Sequence, residues 1–139
     1  MKKIEDTNKK LFGEYAIAAS GFDKNEQQRL IEVAEKLFLS LKVVFVDLSL
    51  EQKTLSEVFS MKHRYGFLQT LSQKKAIIMS GFLEKDIVSF MKTMREYGIS
   101  PQLWAVLTPT SVNWKFKDLV KELEEEAKQI SEMQKKCKK

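Results

Sequence analysis

Two matching tripeptides, Ser20-Gly21-Phe22 and Ser80-Gly81-Phe82, each close an apolar run and precede a helical pattern. A third polar turn follows another apolar run: Thr108-Pro109-Thr110, then Ser111, Asn113 and Trp114. A strand that turns sharply into a helix presents unpaired backbone N–H groups backed by a partial positive charge. Hydroxyls beside such a turn complete a cradle for a phosphate or carboxylate. Ser20, Gly21, Ser80, Gly81, Thr108, Thr110, Asn113 and Trp114 are therefore the candidate ligand-binding residues. The same residues have a purely structural reading. Each Gly permits a turn with positive φ, each Phe packs under its helix, and the hydroxyls cap helix starts. Trp114 either closes the cradle or staples its helix to the sheet. Residue types alone leave both readings open. Neither a Gly-rich dinucleotide fingerprint nor a Gly-Lys-Ser/Thr phosphate loop occurs.

Catalytic chemistry has weaker support. His63 lies between Lys62 and Arg64 with no carboxylate close in sequence, and reads as part of a solvated basic turn. Cys137 stands among lysines, which lower a thiol pKa, but an incidental tail residue is the plainer reading. One cysteine and one histidine do not make a zinc site. Glu124-Glu125-Glu126 has Lys121 and Lys128 at helical spacing and reads as a solvated, salt-bridged face. Nothing pairs a nucleophile with a base. A non-catalytic chain with no metal and no cofactor is expected.

The elements that must position these residues form one compact domain over 1–139, since 139 residues at 43% hydrophobic suit one core rather than two. The net charge of +5 comes mostly from lysine, with only Arg29, Arg64 and Arg95 as arginines. Base and phosphate readers favour Arg forks, so nucleic acid is not the expected partner, although 53–75 is the most basic part of the body. Met1-Lys2-Lys3 runs into Glu5 and Asp6 without an apolar segment, a poor signal peptide. No run approaches a membrane span. No membrane partner and a cytoplasmic location are expected.

After a loose lead-in over 1–13, the pattern predicts a strand at Tyr15–Ala19 and a helix over 23–40. Asp23 with Glu26 gives a capping-box signature, and Leu30, Ile31, Ala34, Leu37 and Phe38 form one face. A strand at Val43–Leu48 is apolar and largely β-branched, as a strand buried on both sides is. Over 49–74, Ser49 is placed to cap a short helix carrying Leu55, Val58, Phe59 and Met61, broken at Tyr65-Gly66, and 67–75 reads as a loop or second short helix. A strand at Ala76–Met79, a helix over 83–97, a strand at Leu103–Leu107 and a last helix over about 115–135 follow. That last helix carries Phe116, Leu119, Val120, Leu123, Ala127, Ile130 and Met133, and the lysine-rich tail after it should fray.

Ala16–Phe22 matches Ala76–Phe82, and the match runs on through the helix to place Val43–Val46 on Leu103–Val106 without a gap. The halves 15–48 and 75–108 thus read as repeated βαβ units. Pairing their first strands in parallel gives a small three-layer α/β sandwich with a mostly parallel four-stranded sheet of order 2-1-3-4. The two repeat helices then lie on opposite faces, 49–74 crosses back over the sheet, and the last helix covers the remaining face. In such a Rossmann-like sheet the ligand crevice opens at the strand carboxyl ends, between Ser20 and Ser80. Trp104, in the fourth strand, is expected in the core or at an oligomer contact.

The run Ala105-Val106-Leu107-Thr108-Pro109-Thr110, then Asn113-Trp114 and an acidic amphipathic helix, resembles an uncharacterised bacterial family, domain-of-unknown-function family 3783. Ser80-Gly81-Phe82 and Tyr97-Gly98-Ile99 are similar to the preceding segment of that family, and the likeness covers about 75–125. Where the family usually carries Asn, this chain has Ser111. Lys115 and Leu83 stand where a capping Thr or Ser is usual, which leaves two helix starts less well capped. The resemblance implies a small cytoplasmic α/β protein and no particular reaction. The expected function is a binding module for a small anionic or nucleotide-like ligand. The alternative is an interaction or regulatory module, a homodimer formed through the edge strand or the long last helix.

Overall fold

The computed structural model describes residues 10–67, 75–99, 101 and 103–137, with the backbone alone for Leu48 and for 130–137. The expectations for 1–9, for the 68–74 part of the loop and for the tail after Cys137 fall outside the described residues. The strands are β1 (Ala16–Ser20), β2 (Lys42–Phe45), β3 (Ala76–Ser80) and β4 (Leu103–Val106). The helices are α1 (Lys24–Leu37), α2 (Leu48–Glu51), α3 (Leu55–Phe59), α4 (Glu84–Glu96) and α5 (Phe116–Cys137), with a 3-10 turn at Ser111–Asn113.

Local chemistry sets most of these bounds. The Asp23 carboxylate accepts from the Glu26 N–H at 2.8 Å, and Glu26 accepts from the Asp23 N–H at 3.0 Å, so α1 begins at the expected capping box. It ends three residues early, at Leu37, which lies exposed while Val33 takes a place on the buried face. β2 also ends early, because Asp47 caps α2 by accepting from the Ser49 N–H at 3.0 Å. Ser49 is therefore not the cap. Thr54 and Glu57 form a second capping box at α3.

The strand order is β2-β1-β3-β4, as the sequence suggested. The direction of the second half is not. β1 pairs parallel with β2 and β3 parallel with β4, but β1 and β3 are antiparallel, with Ala16 opposite Ser80 and Ser20 opposite Ala76. The sheet is mixed, two parallel pairs set head to tail. The reason lies in the path from β2 to β3. β2 ends at the Ser20 end of the sheet and β3 starts there, so the intervening chain never has to return to the opposite end.

This inversion decides which face each helix covers. Parallel units leaving a common centre in opposite directions put their right-handed crossovers on opposite faces. Reversing the second unit, a half turn about the in-plane axis that runs across the strands, carries its crossover to the other face, so both crossovers share one face. Accordingly Ile17, Ala19, Val43, Phe45, Ile77 and Met79 pack under both α1 (Leu30, Ile31, Val33, Ala34) and α4 (Phe90, Met94). Ala16, Ala18, Val44, Val46, Ala76 and Ile78 face α2, α3 and α5 through Leu50, Leu55, Val58, Phe59, Phe116, Leu119 and Val120. The three layers and the covering role of α5 match expectation; the opposite-face placement of α1 and α4 does not.

The gapless offset also slips. Ile17 pairs with Val43, whereas Ile77 pairs with Trp104 rather than Leu103. One extra residue before β4 absorbs the difference and turns Trp104 toward α4, where its ring meets Phe90 edge-on at 6.2 Å.

Candidate functional site

The Ser20 and Ser80 turns lie at opposite ends of the sheet, separated by the length of β1, roughly 14 Å of strand rise. The sequence-predicted crevice between them does not form. Each turn has its own surroundings.

At the first end, Gly21 adopts φ 79° and Ser20 is buried. The start of α1 is filled by its own acids, Asp23 and Glu26, and Glu26 also pairs with Lys75 at 2.7 Å. Gln27 donates to the Phe22 carbonyl at 3.0 Å. Two carboxylates over the N–H groups repel an incoming anion and already serve the helix dipole.

At the other end the chain's own lead-in occupies the Ser80-Gly81-Phe82 turn. The Gly81 N–H donates to the Phe12 carbonyl at 2.9 Å, and the Leu11 N–H to the Phe82 carbonyl at 2.8 Å. Gly81 has φ 68°, and a Cβ there would stand 2.5 Å from the Glu14 carbonyl carbon. Here glycine is required for both conformation and close approach. The Ser80 Oγ is buried against Gly13 and has no hydrogen-bond partner among the described residues. Leu83 gives α4 no side-chain cap, as its departure from the family pattern suggested. A cavity of about 290 Å³ opens here, lined by Lys10, Tyr15, Gly81, Leu83 and Asp86. Burial, and secondarily the Asp86 carboxylate, push the Tyr15 phenol above its ordinary value.

The Thr108–Trp114 turn shares this end but satisfies itself. The Thr108 N–H donates to the Ser111 Oγ, and the Ser111 N–H to the Thr108 Oγ1, both at 3.0 Å. Thr110 and Asn113 are exposed, and Trp114 is 37% exposed. Trp114 works through its backbone: its carbonyl accepts the Leu55 N–H, and the Phe116 N–H donates to the Lys53 carbonyl, both at 2.9 Å. These bonds tie the start of α5 to α3. Of the predicted residues, the fold thus brings Ser80 and Gly81 to the same sheet end as Thr108, Thr110, Asn113 and Trp114, and leaves Ser20 and Gly21 at the other.

A constellation that local spacing did not reveal surrounds His63. Glu35 is 28 residues upstream, yet its Oε2 stands 3.4 Å from His63 Nε2 and 3.4 Å from an Arg64 nitrogen. His63 Nδ1 accepts the Val43 N–H at 3.0 Å, which assigns the proton to Nε2, facing Glu35. With Ala34, Ser40, Leu41 and Lys42, these two residues line an open cavity of about 410 Å³. The carboxylate missing from the local sequence is therefore supplied by α1. The bond to Val43 marks His63 as a clasp on the β2 edge, because Arg64 and Tyr65 continue the same pairing: the Arg64 N–H donates to the Val43 carbonyl at 2.7 Å, and the Phe45 N–H to the Tyr65 carbonyl at 2.8 Å. No group of three or more metal-ligating side chains occurs among the described residues. Nor, among them, is any helix long and apolar enough to cross a membrane. Glu124–Glu126 enter no ion pair among the described residues, so their expected bridges to Lys121 and Lys128 are absent there.

The chain is thus an α/β three-layer protein with a mixed four-stranded sheet. Residues 75–130, which span β3, α4, β4 and most of α5, match the model of the family described as Domain of unknown function (DUF3783). Comparisons with curated proteins and with solved structures found no match.

Proposed function

We propose that this chain is a non-catalytic protein-interaction module whose partner surface is the distal part of α5. One observation carries the reading. Helix α5 has 22 residues, about 33 Å, against sheet strands of about 17 Å or less. Among its described side chains, those packed on the core end at Leu123, and every residue from Glu125 to Gln129 is exposed. In sequence the apolar stripe nevertheless runs on through Ala127, Ile130 and Met133. A solvated helical extension gains nothing from burial, and an apolar stripe on it is unfavourable unless something covers it. Cutting the chain after Lys128 tests this. At high dilution the shortened protein keeps the melting temperature of the full chain. A fall of several degrees would assign the extension to the protein's own fold and end the proposal.

A second reading has one observation in its favour. The cavity beside Gly81, next to the uncapped start of α4, has room for a small ligand. Of the residues expected to bind an anion, only Gly81 lines it. A thermal-shift screen with phosphate, nucleotides and small acids tests this reading; loss of any shift in Tyr15→Phe is expected, and a flat screen removes it.

The two βαβ units also support an internal duplication. The sequence offset maps Ala18 onto Ile78, and those two residues face each other across the β1–β3 pair, as a two-fold axis through that point requires. A cytoplasmic location completes the proposal, with cell fractionation as its test.

A further inference from the structure

We infer that the partner of the α5 extension is a second copy of this chain, docked antiparallel along the same stripe. This rests on the interaction reading above. Its own support is the charge order along the helix. Glu122, Glu124, Glu125 and Glu126 lie where α5 leaves the body, and Lys135 and Lys136 lie in its last turn. The apolar positions Ala127, Ile130 and Met133 lie between the two charge groups at helical spacing.

Two copies laid antiparallel put the acidic segment of each beside the basic segment of the other, with the midpoint near Ile130. A parallel pair would set glutamates on glutamates and lysines on lysines. The antiparallel arrangement is also closed: one two-fold axis satisfies both extensions, and no stripe remains to recruit a third chain. The overlapping stretch from Leu123 to Cys137 is about 22 Å long, about two heptads. So short a seam makes a weak, concentration-dependent dimer. It is held partly by opposite charges, so added salt weakens it.

Sedimentation of the full-length chain across a wide concentration range, at low salt, tests the pairing. The wild type dimerises. The reversals Glu124→Lys with Glu125→Lys, or Lys135→Glu with Lys136→Glu, each weaken the dimer about tenfold, the scale expected for several ion pairs turned repulsive. The chain carrying all four reversals recovers the wild-type affinity. In a parallel pair these reversals only exchange one like-charge contact for another, so a dimer indifferent to them overturns the antiparallel arrangement and leaves the interaction reading standing. A chain that stays monomeric at every concentration overturns self-pairing altogether; the truncation experiment above then decides the interaction reading on its own. Each variant is first shown to melt like wild type under dilute conditions.

Discussion

The two turn glycines illustrate how far one residue's surroundings set its importance. Gly81 and Gly98 both hold positive φ, at 68° and 78°. A methyl group on Gly81 meets the backbone of Glu14 and Gly13, whereas on Gly98 it meets only the end of the Arg29 side chain at 3.0 Å. Gly81→Ala is expected to cost about 2–4 kcal/mol by urea denaturation, through strain and displacement of the lead-in; Gly98→Ala costs about 1 kcal/mol. Tyr15 adds a pH dependence. Its phenol is held above the ordinary value by burial first and Asp86 second. The folded chain keeps this proton when the unfolded chain has lost it. The resulting stability is complete below about pH 10 and is lost as pH rises through the folded-state value. Urea midpoints of Tyr15→Phe should therefore fall less than those of wild type between about pH 9 and 11. An identical alkaline fall in both proteins would contradict this.

Element by element, the helix starts are closed in different ways. α1 is sealed by a reciprocal Asp23–Glu26 box, α4 begins at Leu83 without any side-chain cap, and α5 is anchored by backbone bonds to the α2–α3 turn. Asp23→Ala should lower stability by about 1 kcal/mol, measured as a shift of the denaturant midpoint at constant slope. This is also why the turns make poor anion sites: two of the three N-termini already have partners. The β2 edge shows a further division of labour. Residues 63–65 pair with it, and His63 contributes a side-chain nitrogen where a carbonyl would ordinarily accept. Nothing in the order Lys62-His63-Arg64 signals that role, because its partners Val43 and Glu35 are 20 and 28 residues away.

Across the whole molecule, the two βαβ units share one helical layer, and Phe90 sits where they meet. Its ring makes edge contacts with Phe38 from the α1 end, Phe82 from the β3 turn and Trp104 from β4, with centroids 5.1, 5.3 and 6.2 Å away. Phe90 is fully buried, so Phe90→Ala leaves a cavity shared by both halves and should cost about 3–5 kcal/mol. Thermal or chemical melts that remain single cooperative transitions, shifted by that amount, are expected. A loss below about 1 kcal/mol would mean that the two halves do not depend on each other there.

Local signals in the sequence determined the four strands, the three long helices and the capping box at α1. Periodicity reports which side chains share a face, and a cap acts within four residues, so both survive in a linear reading. The covering of the second sheet face by α5 was legible for the same reason. Tertiary structure alone decided the direction of β3 against β1, and with it the separation of Ser20 from Ser80, the common face of α1 and α4, and the Glu35–His63 contact. A continuous apolar strand reads the same in either direction. Its sense in a sheet depends on which end the preceding connection reaches, and that is set by packing between residues far apart in the chain.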